Sequence, residues 1–172
     1  MARRIGESRK DQLGRILNAT WLILGVLAVI FFTILTLFIP SWISAYSRNQ
    51  EVASLQGEFI RHRSFALFFC MITLGLQAFY LARGKSWVVL VAALITASTN
   101  ILFDYLLIFG IGVFPEMGVA GAATASSIAD GLGMIFLVVF TLSSKEKYAY
   151  HLFGTMKGVW LELKELINIG TP

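Results

Sequence analysis

The most informative stretch for the fold class is Trp87-Val-Val-Leu-Val-Ala-Ala-Leu-Ile-Thr-Ala-Ser-Thr-Asn100-Ile-Leu-Phe-Asp104-Tyr-Leu-Leu-Ile-Phe109. The stretch is mostly apolar and exceeds the length of about 20 residues that a helix needs to cross a bilayer. Asn100 and Asp104 interrupt it. A carboxylate inside such a span is costly, by about 2.5 kcal/mol or more, unless it is paired, protonated or hydrated. The stretch therefore predicts a membrane-spanning helix with one polar face.

That polar face is a stripe of three side chains. Asn100 and Asp104 are four residues apart, and Thr96 precedes Asn100 by the same interval. Residues with this spacing lie on one side of a helix. We expect the stripe to turn toward a cavity or toward partner helices, where it serves an ion, a proton or a solute. The alternative is an interhelical hydrogen bond that only holds the helices together.

Composition extends this prediction to the whole chain. Hydrophobic residues make up 57% of the sequence and charged residues only 14%, against about 25% charged residues in an average soluble domain. Four charge-poor blocks are each about as long as a membrane span, and they cover residues 16–47, 64–82, 87–114 and 119–142. The fold class predicted from these blocks is an all-α integral membrane protein with four transmembrane helices.

The predicted organisation has three parts. Residues 1–18 form a basic, weakly amphipathic lead-in on the cytoplasmic membrane surface, residues 19–142 form the four-helix transmembrane part, and residues 143–172 form a cytoplasmic linker with an amphipathic segment. We expect the first span to stop at Pro40, because proline does not continue a helix. A short polar helix is expected near residues 49–57, and a Gly/Pro turn at residues 110–118 separates the last two spans.

The basic residues predict the orientation. Eleven Lys and Arg side chains lie in the two terminal segments and the turn at residues 83–86, and three lie on the opposite side. The positive-inside rule then places both termini in the cytoplasm of a multi-pass protein of the inner (plasma) membrane. Arg61, His62 and Arg63 would open the second span from outside. We interpret them as an interfacial anchor that snorkels to lipid headgroups, with an outer substrate contact as the alternative.

The fourth span has a different pattern from the others. Small residues recur every four positions and form a ridge that lets another helix approach closely, at Gly121, Ala125, Ala129 and Gly133. Ser126 and Asp130 lie beside this ridge. The last two spans are joined by a short turn, so we expect them to be antiparallel neighbours whose polar stripes face one common space.

Several function classes are disfavoured. The net charge of +4 flanks the spans and forms no nucleic-acid patch. The single cysteine, Cys70, cannot form a disulfide within the chain. Two carboxylates on adjacent spans are also found in intramembrane aspartyl proteases, but there the glycines precede the second Asp. Here Gly131 and Gly133 follow Asp130, so an enzyme is not predicted.

A family resemblance adds to this interpretation. The run Asn100-Ile-Leu-Phe-Asp104-Tyr-Leu-Leu-Ile-Phe-Gly110-Ile-Gly112-Val-Phe-Pro115-Glu-Met-Gly118-Val-Ala-Gly121-Ala-Ala resembles the multidrug and toxic compound extrusion (MATE) family over 24 positions. Residues 4–7, 81–84 and 168–172 resemble other segments of that family. Tyr105 stands where the family commonly has proline, which predicts a helix without that kink. The resemblance covers helices three to six of a twelve-helix, two-lobe transporter.

The resemblance implies a secondary active antiporter that exports cationic or amphipathic drugs in exchange for H⁺ or Na⁺. By position, Asn100, Asp104 and Ser126 match the coupling site for the cation or proton, with Na⁺ at Asn100 and Asp104 as the one metal implied. Their oxygens are hard ligands for such a cation, and a desolvated carboxyl group can instead hold a proton. Asp130 and Thr96 are expected to form a secondary polar site.

The implied partners are a small-molecule drug or cationic substrate, membrane lipids and the remaining helices of the transporter, with no cofactor and no nucleic acid. The first-helix carboxylate and the second lobe of the family are not in this sequence, so residues 1–172 alone are not expected to exchange drug for ion. Two alternatives stay open. One is a lipid-linked oligosaccharide flippase of the same superfamily, and the other is a membrane scaffold that transports nothing.

Overall fold

The computed structural model describes residues 11–144, in which every regular element is a helix. In chain order these elements are α1 (Asp11–Thr33), a π-helical segment (Ile34–Phe38), α2 (Ile39–Tyr46), α3 (Gln50–Ser64), α4 (Ala66–Ala82), α5 (Ser86–Phe109) and α6 (Gly118–Ser143). The first ten residues of the expected lead-in, and the linker from residue 145 onward, lie outside the described residues.

The all-α membrane architecture is confirmed. Three helical stretches in the described part are long and apolar enough to cross a membrane, namely Leu13–Tyr46, Ser86–Phe109 and Gly118–Ser143. A fourth candidate span is a bent pair, α3 with α4, whose axes differ by 44° at a short break. The bounds of α5 and α6 agree with the polar-stripe spans that the sequence predicts.

The first span does not stop at Pro40, and the prediction that it would is wrong. The helix continues to Tyr46, and Pro40 lies in the first turn of α2. Just before it, the Ile39 N–H bonds to the Ile34 carbonyl, five residues back. This π-helical turn widens the helix where the proline ring would otherwise collide with the preceding turn. The break in regular α-geometry thus lets the helix pass the proline.

The second span begins earlier than the sequence predicts. Asn49 caps α3, since its Oδ1 accepts hydrogen bonds from the backbone N–H groups of Glu51 at 2.9 Å and Val52 at 3.3 Å. The expected polar helix at residues 49–57 is therefore present, but it runs on to Ser64 and passes almost directly into α4. Both α3 and α4 pack along α6. A polar helix is thus part of the bundle, which hydropathy alone did not indicate.

Helices α5 and α6 form a tight antiparallel hairpin and make the most extensive helix contact in the described part of the chain. Gly110 ends α5 in the left-handed conformation, at φ 64°, and the Met117 N–H bonds to the Leu107 carbonyl at 2.9 Å. The ridge expected on α6 is buried. A Cβ at Gly121 would lie 2.6 Å from the Leu107 carbonyl oxygen, so glycine sets how closely these helices approach.

The apolar core lies at the end of the bundle where α4 turns into α5. Its fully buried members include Leu13 and Leu17 of α1, Tyr80 of α4 and Leu137 of α6. Residues 11–18, which the sequence assigns to a surface lead-in, are therefore the first turns of α1, and two of their leucines face the core. The Tyr80 hydroxyl and the Thr141 hydroxyl share a hydrogen bond of 2.9 Å there. The core therefore joins α1, α4, α5 and α6 at that end of the bundle.

Candidate functional site

A polar cavity of about 400 Å³ lies between the bent pair and the α5–α6 hairpin. Its lining comes from α3, α4, α5 and α6, and comprises Arg63, Cys70, Thr73, Gln77, Ala93, Thr96, Ala97, Asn100, Ser126, Ala129 and Asp130. Four of the five residues that the sequence singles out are in this lining, and Asp104 is not. Thr96 and Asn100 of the α5 stripe therefore face one common space with Ser126 and Asp130 of α6, and Asp104 lies outside it.

Asn100 and Ser126 meet across the hairpin. The side-chain amide of Asn100 donates a hydrogen bond from Nδ2 to Ser126 Oγ at 3.1 Å. The small ridge of α6 makes this possible, because the two helices are close enough for a short hydroxyl to reach an amide. The amide oxygen of Asn100 takes no part in this bond. The pair therefore presents a carbonyl-type oxygen and a hydroxyl oxygen near the same point, both of which are hard ligand types.

Asp104 lies one helical turn beyond Asn100, toward Gly110. Its Oδ1 is buried, and within the described residues that oxygen has no hydrogen-bond partner. A buried carboxylate oxygen without a partner costs free energy that a hydrogen bond, a proton or a cation would recover. The structure thus brings two of the predicted coupling residues into contact, and places the third next to them on α5 with an unsatisfied oxygen.

Asp130 has a different environment. Its Oδ2 accepts a charge-assisted hydrogen bond from Arg63 Nη1 at 2.7 Å, and this ion pair is partly buried. Cys70 Sγ lies 3.8 Å from the same Oδ2. Asp130 is about half way along α6, so Arg63 reaches well down the bundle. The interpretation of Arg63 as an interfacial anchor is therefore wrong, because α3 packs along α6 and turns this side chain inward.

His62 supports the same docking. Thr124 Oγ1 lies within hydrogen-bond distance of His62 Nδ1 at 3.3 Å, and Ser127 Oγ donates to the His62 carbonyl at 3.3 Å. Both hydroxyls also bond to carbonyls of their own helix. The last turn of α3 is thus attached to α6 by an ion pair and two polar contacts. These contacts offset the cost of placing a polar helix against an apolar bundle.

Sequence reasoning missed the contribution of the second span. Arg63, Cys70, Thr73 and Gln77 all line the cavity, and Thr73 Oγ1 is buried without a hydrogen-bond partner in the part of the chain that the structure describes. The intervals of three and four residues place Cys70, Thr73 and Gln77 on one face of α4, and Arg63 precedes Cys70 by seven residues across the bend. This spacing was a readable signal, but the surrounding residues are so apolar that a stripe of weakly polar side chains does not stand out.

Thr96 depends on the ridge in its own way. A Cβ at residue 133 would collide with Thr96 Oγ1, so Gly133 leaves the space that the threonine hydroxyl occupies. Thr96 consequently reaches the cavity beside Gly133 of α6. The ridge thus has two roles, since it allows close packing and gives the α5 stripe access to the cavity.

A second cavity of about 470 Å³ lies between α2 and α3. Its lining includes Gln50, Glu58, Arg61 and His62, and none of the five residues predicted from the sequence. It is larger than the polar cavity, but its charged groups lie on the partly exposed face of α3. No residue of either polar stripe lines it. The cavity between the bent pair and the hairpin is therefore the better candidate site.

Comparisons with known proteins agree with this architecture. The family model described as MatE matches residues 1–106, a region that includes Asn100 and Asp104 but ends before α6. A protein of Rhizobium meliloti strain 1021, named "Probable multidrug resistance protein NorM", is 31% identical over 126 residues, which is 73% of this chain and 27% of that protein.

Two further relatives carry the same name. The protein of Listeria monocytogenes serotype 4b is 28% identical over 176 residues, covering 100% of this chain and 38% of its own length. That of Brucella suis biovar 1 is 29% identical over 153 residues, covering 83% of this chain and 32% of its own length. The chain thus spans between about a quarter and two fifths of the length of these curated relatives.

Proposed function

The chain belongs to the MatE family, and from this membership we propose that it forms part of a secondary active transporter of the plasma membrane. The transporter would export cationic or amphipathic compounds in exchange for H⁺ or Na⁺. The relatives are named as probable multidrug resistance proteins, and this supports an efflux role for the complete polypeptide. The proposed role is transport without covalent chemistry, with both termini of this segment in the cytoplasm.

The proposed coupling site consists of Asn100, Asp104 and Ser126. One observation carries it: Asp104 keeps a buried carboxylate oxygen without a hydrogen-bond partner in residues 11–144, one turn from the Asn100–Ser126 hydrogen bond. A structural carboxylate would be expected to have that oxygen satisfied. An oxygen that a coupling ion binds and leaves in each cycle must be available to it.

Two chemistries suit this arrangement. A sodium ion would be held by the carboxylate of Asp104, the amide oxygen of Asn100 and the hydroxyl of Ser126, since all are hard oxygen ligands. A proton would instead neutralise the Asp104 carboxylate and remove the cost of keeping a charge at this depth. In both cases binding of the ion changes the charge of α5 and so biases one conformation of the transporter over another.

Replacing Asp104 tests the proposal. In the complete protein that carries this chain, Asp104→Asn keeps the shape of the side chain and removes its charge. We expect export of a fluorescent organic cation from proteoliposomes, driven by an imposed pH or Na⁺ gradient, to fall to background while membrane insertion stays normal. Asn100→Ala should lower the coupled rate without abolishing it, because the carboxylate remains.

Ser98→Ala is the matched control. Ser98 is an exposed polar residue of the same helix and is absent from the cavity lining, so its replacement should leave coupled export close to wild type. Full export by the Asp104→Asn protein at normal expression would make Asp104 a structural residue. If the unaltered protein exports no cation under either gradient, the flippase and scaffold alternatives become the better explanations.

A further inference from the structure

The Arg63–Asp130 ion pair makes the polar cavity electrically neutral. Among the described residues that line the cavity, Arg63 is the one cation and Asp130 the one anion, and the other polar members are uncharged. Removing either partner would leave an unpaired charge in a partly buried place, which is strongly unfavourable. The cavity is therefore built to hold one carboxylate together with one cationic group.

The geometry of the pair allows the cationic group to be exchanged. The contact is a single hydrogen bond from Nη1 to Oδ2, whereas the strongest Arg–carboxylate pairs use two parallel bonds. The Arg63 side chain is 37% exposed and that of Asp130 is 21% exposed, so the guanidinium has a route out of the cavity and the carboxylate stays inside. Arg63 is also next to the last residue of α3, beside the break in the bent pair.

The cavity around Asp130 is large enough for a small organic ligand. The cavity volume of about 400 Å³ lies in the usual range of small-molecule sites, about 300–1,000 Å³. Cys70 contacts the carboxylate from α4, and Ser126 precedes Asp130 by one turn on α6 and is bonded to Asn100. A group that binds Asp130 therefore lies beside the residues proposed to bind the coupling ion.

We propose that Asp130 is the anchoring carboxylate for an organic cation with a flat amidinium or guanidinium group, and that Arg63 is a built-in competitor for the same place. When the ligand arrives, its cationic group replaces the Arg63 guanidinium on Asp130, so the cavity stays neutral throughout. The inference deepens the proposed function, and rests on it, by assigning the residue that selects a cationic substrate. Arg63 sets the affinity, because every ligand must displace it.

Binding of benzamidinium to the purified complete protein tests this, in nanodiscs and without any gradient. We expect binding by calorimetry, and protection of Cys70 from alkylation by N-ethylmaleimide, because a ligand on Asp130 covers that thiol. Benzamide, the uncharged analogue, should neither bind nor protect. Asp130→Asn should weaken binding of benzamidinium at least about tenfold, since the ligand then lacks a charge partner.

Replacement of Arg63 separates competition from a purely structural pair. Arg63→Gln should tighten benzamidinium binding about tenfold, because the competitor is gone and Asp130 lacks a cation. Arg63→Lys, which keeps the charge but not the planar geometry, should fall between wild type and Arg63→Gln. Arg61→Gln removes a neighbouring exposed arginine of α3 that is not in the lining, and should change affinity less than twofold.

The proposal would be overturned if Asp130→Asn leaves the affinity for benzamidinium unchanged. It would also be overturned if that affinity is unchanged or weaker in both Arg63 variants. If Arg63→Gln does not fold, the Arg63→Lys affinity decides. Because no ion gradient or export enters this assay, its outcome is independent of the Asp104→Asn transport test. Benzamidinium binding without ion-coupled export would leave the Asp130 site standing and remove the exchange function.

Discussion

Helices α5 and α6 share one sequence pattern, but their carboxylates lie in different environments. Each has a carboxylate four residues after a neutral polar side chain, Asn100 with Asp104 on α5 and Ser126 with Asp130 on α6. Asp130 is ion-paired to Arg63 and lines the cavity. Asp104 is outside the lining, and its Oδ1 has no hydrogen-bond partner in residues 11–144. Identical spacing therefore says little about what a membrane carboxylate does.

The difference comes from the position of each helix in the bundle. Eight residues of α6 are buried, and α3, α4 and α5 all pack against it, so that a side chain of α3 can reach Asp130. Three residues of α5 are buried, and its extensive contact is with α6. The central helix α6 obtains a partner for its carboxylate from α3, whereas α5 keeps a carboxylate oxygen without a hydrogen-bond partner in residues 11–144.

The contrast between α5 and α6 requires that the two helices cross the membrane in opposite directions. This gives the largest expected effect, because each end of α5 is accessible from one side of the membrane or the other. Cysteines placed at Ser86, where α5 begins, and at Val113, in the turn before α6, should react with a membrane-impermeant thiol reagent from opposite sides. Val113 is 94% exposed, so its reaction is not limited by burial.

The labelling is done in the complete protein with Cys70 changed to Ser, so that the native thiol of α4 does not contribute. We expect the residue 86 thiol to react from the cytoplasmic side, as the basic residues predict. If both thiols react from the same side, then α5 does not span, and the comparison of two antiparallel polar stripes fails.

Adding a methyl group where the two helices approach most closely should have the next largest effect, which is on stability. Gly121→Ala places a Cβ at 2.6 Å from the Leu107 carbonyl oxygen, and backbone cannot move aside as a flexible side chain can. We expect this overpacking to lower the free energy of unfolding by about 1–3 kcal/mol. Unfolding of the purified complete protein in mixed micelles by SDS measures the change.

Gly131→Ala is the matched control on the same helix. There the new Cβ would lie 3.6 Å from Phe69 Cε2, an ordinary van der Waals contact, so stability should change by less than about 1 kcal/mol. Equal destabilisation by the two substitutions would mean that α6 tolerates no added methyl group anywhere, and the ridge would lose its special role.

Loss of charge should change the free energy of unfolding differently at the two carboxylates. These changes should be the smallest of the three tests. Asp130→Asn leaves Arg63 without its anion and should lower the free energy of unfolding by about 1–2 kcal/mol, less than for a fully buried pair since Arg63 is partly exposed. Asp104→Asn removes a charge with an unsatisfied oxygen and should leave stability unchanged or slightly higher.

The same unfolding assay measures both variants, and their coupled export is measured in parallel. Asp104→Asn should lose export and keep stability. Asp130→Asn should lose stability and keep ion-coupled export only at raised substrate concentrations, because the cation then binds more weakly. A large loss of stability on Asp104→Asn would show that this carboxylate has a structural partner outside residues 11–144, and the contrast between the two helices would disappear.

Much of the fold was readable because hydrophobicity and helical spacing are local properties. The bounds of α5 and α6, the Gly110 turn and the buried ridge at Gly121 and Gly133 all follow from such patterns. The proximity of Asn100 to Ser126 also follows, since a short turn between two spans leaves them antiparallel neighbours. What Asn100, Asp104 and Ser126 bind stays a prediction.

Three misreadings share one physical cause. The helix passes Pro40, α3 joins the bundle despite its charges, and Leu13 and Leu17 lie in the core. In each case a contact distant in sequence, or a local change in backbone geometry, offsets a cost that the local sequence implies. Local patterns predict such costs well and cannot show what compensates them.

Composition, helical spacing and motifs were sufficient to predict the membrane class, the spans of the hairpin, the two polar stripes and the family. The packing of the helices was needed to show that Arg63 is the partner of Asp130, that four residues of the bent pair complete the cavity lining, and that Asp104 keeps an unsatisfied oxygen. The reason is that the charge state of a buried carboxylate depends on every group within a few ångströms. For Asp130 those groups are Arg63 and Cys70, which lie 67 and 60 residues away in the chain.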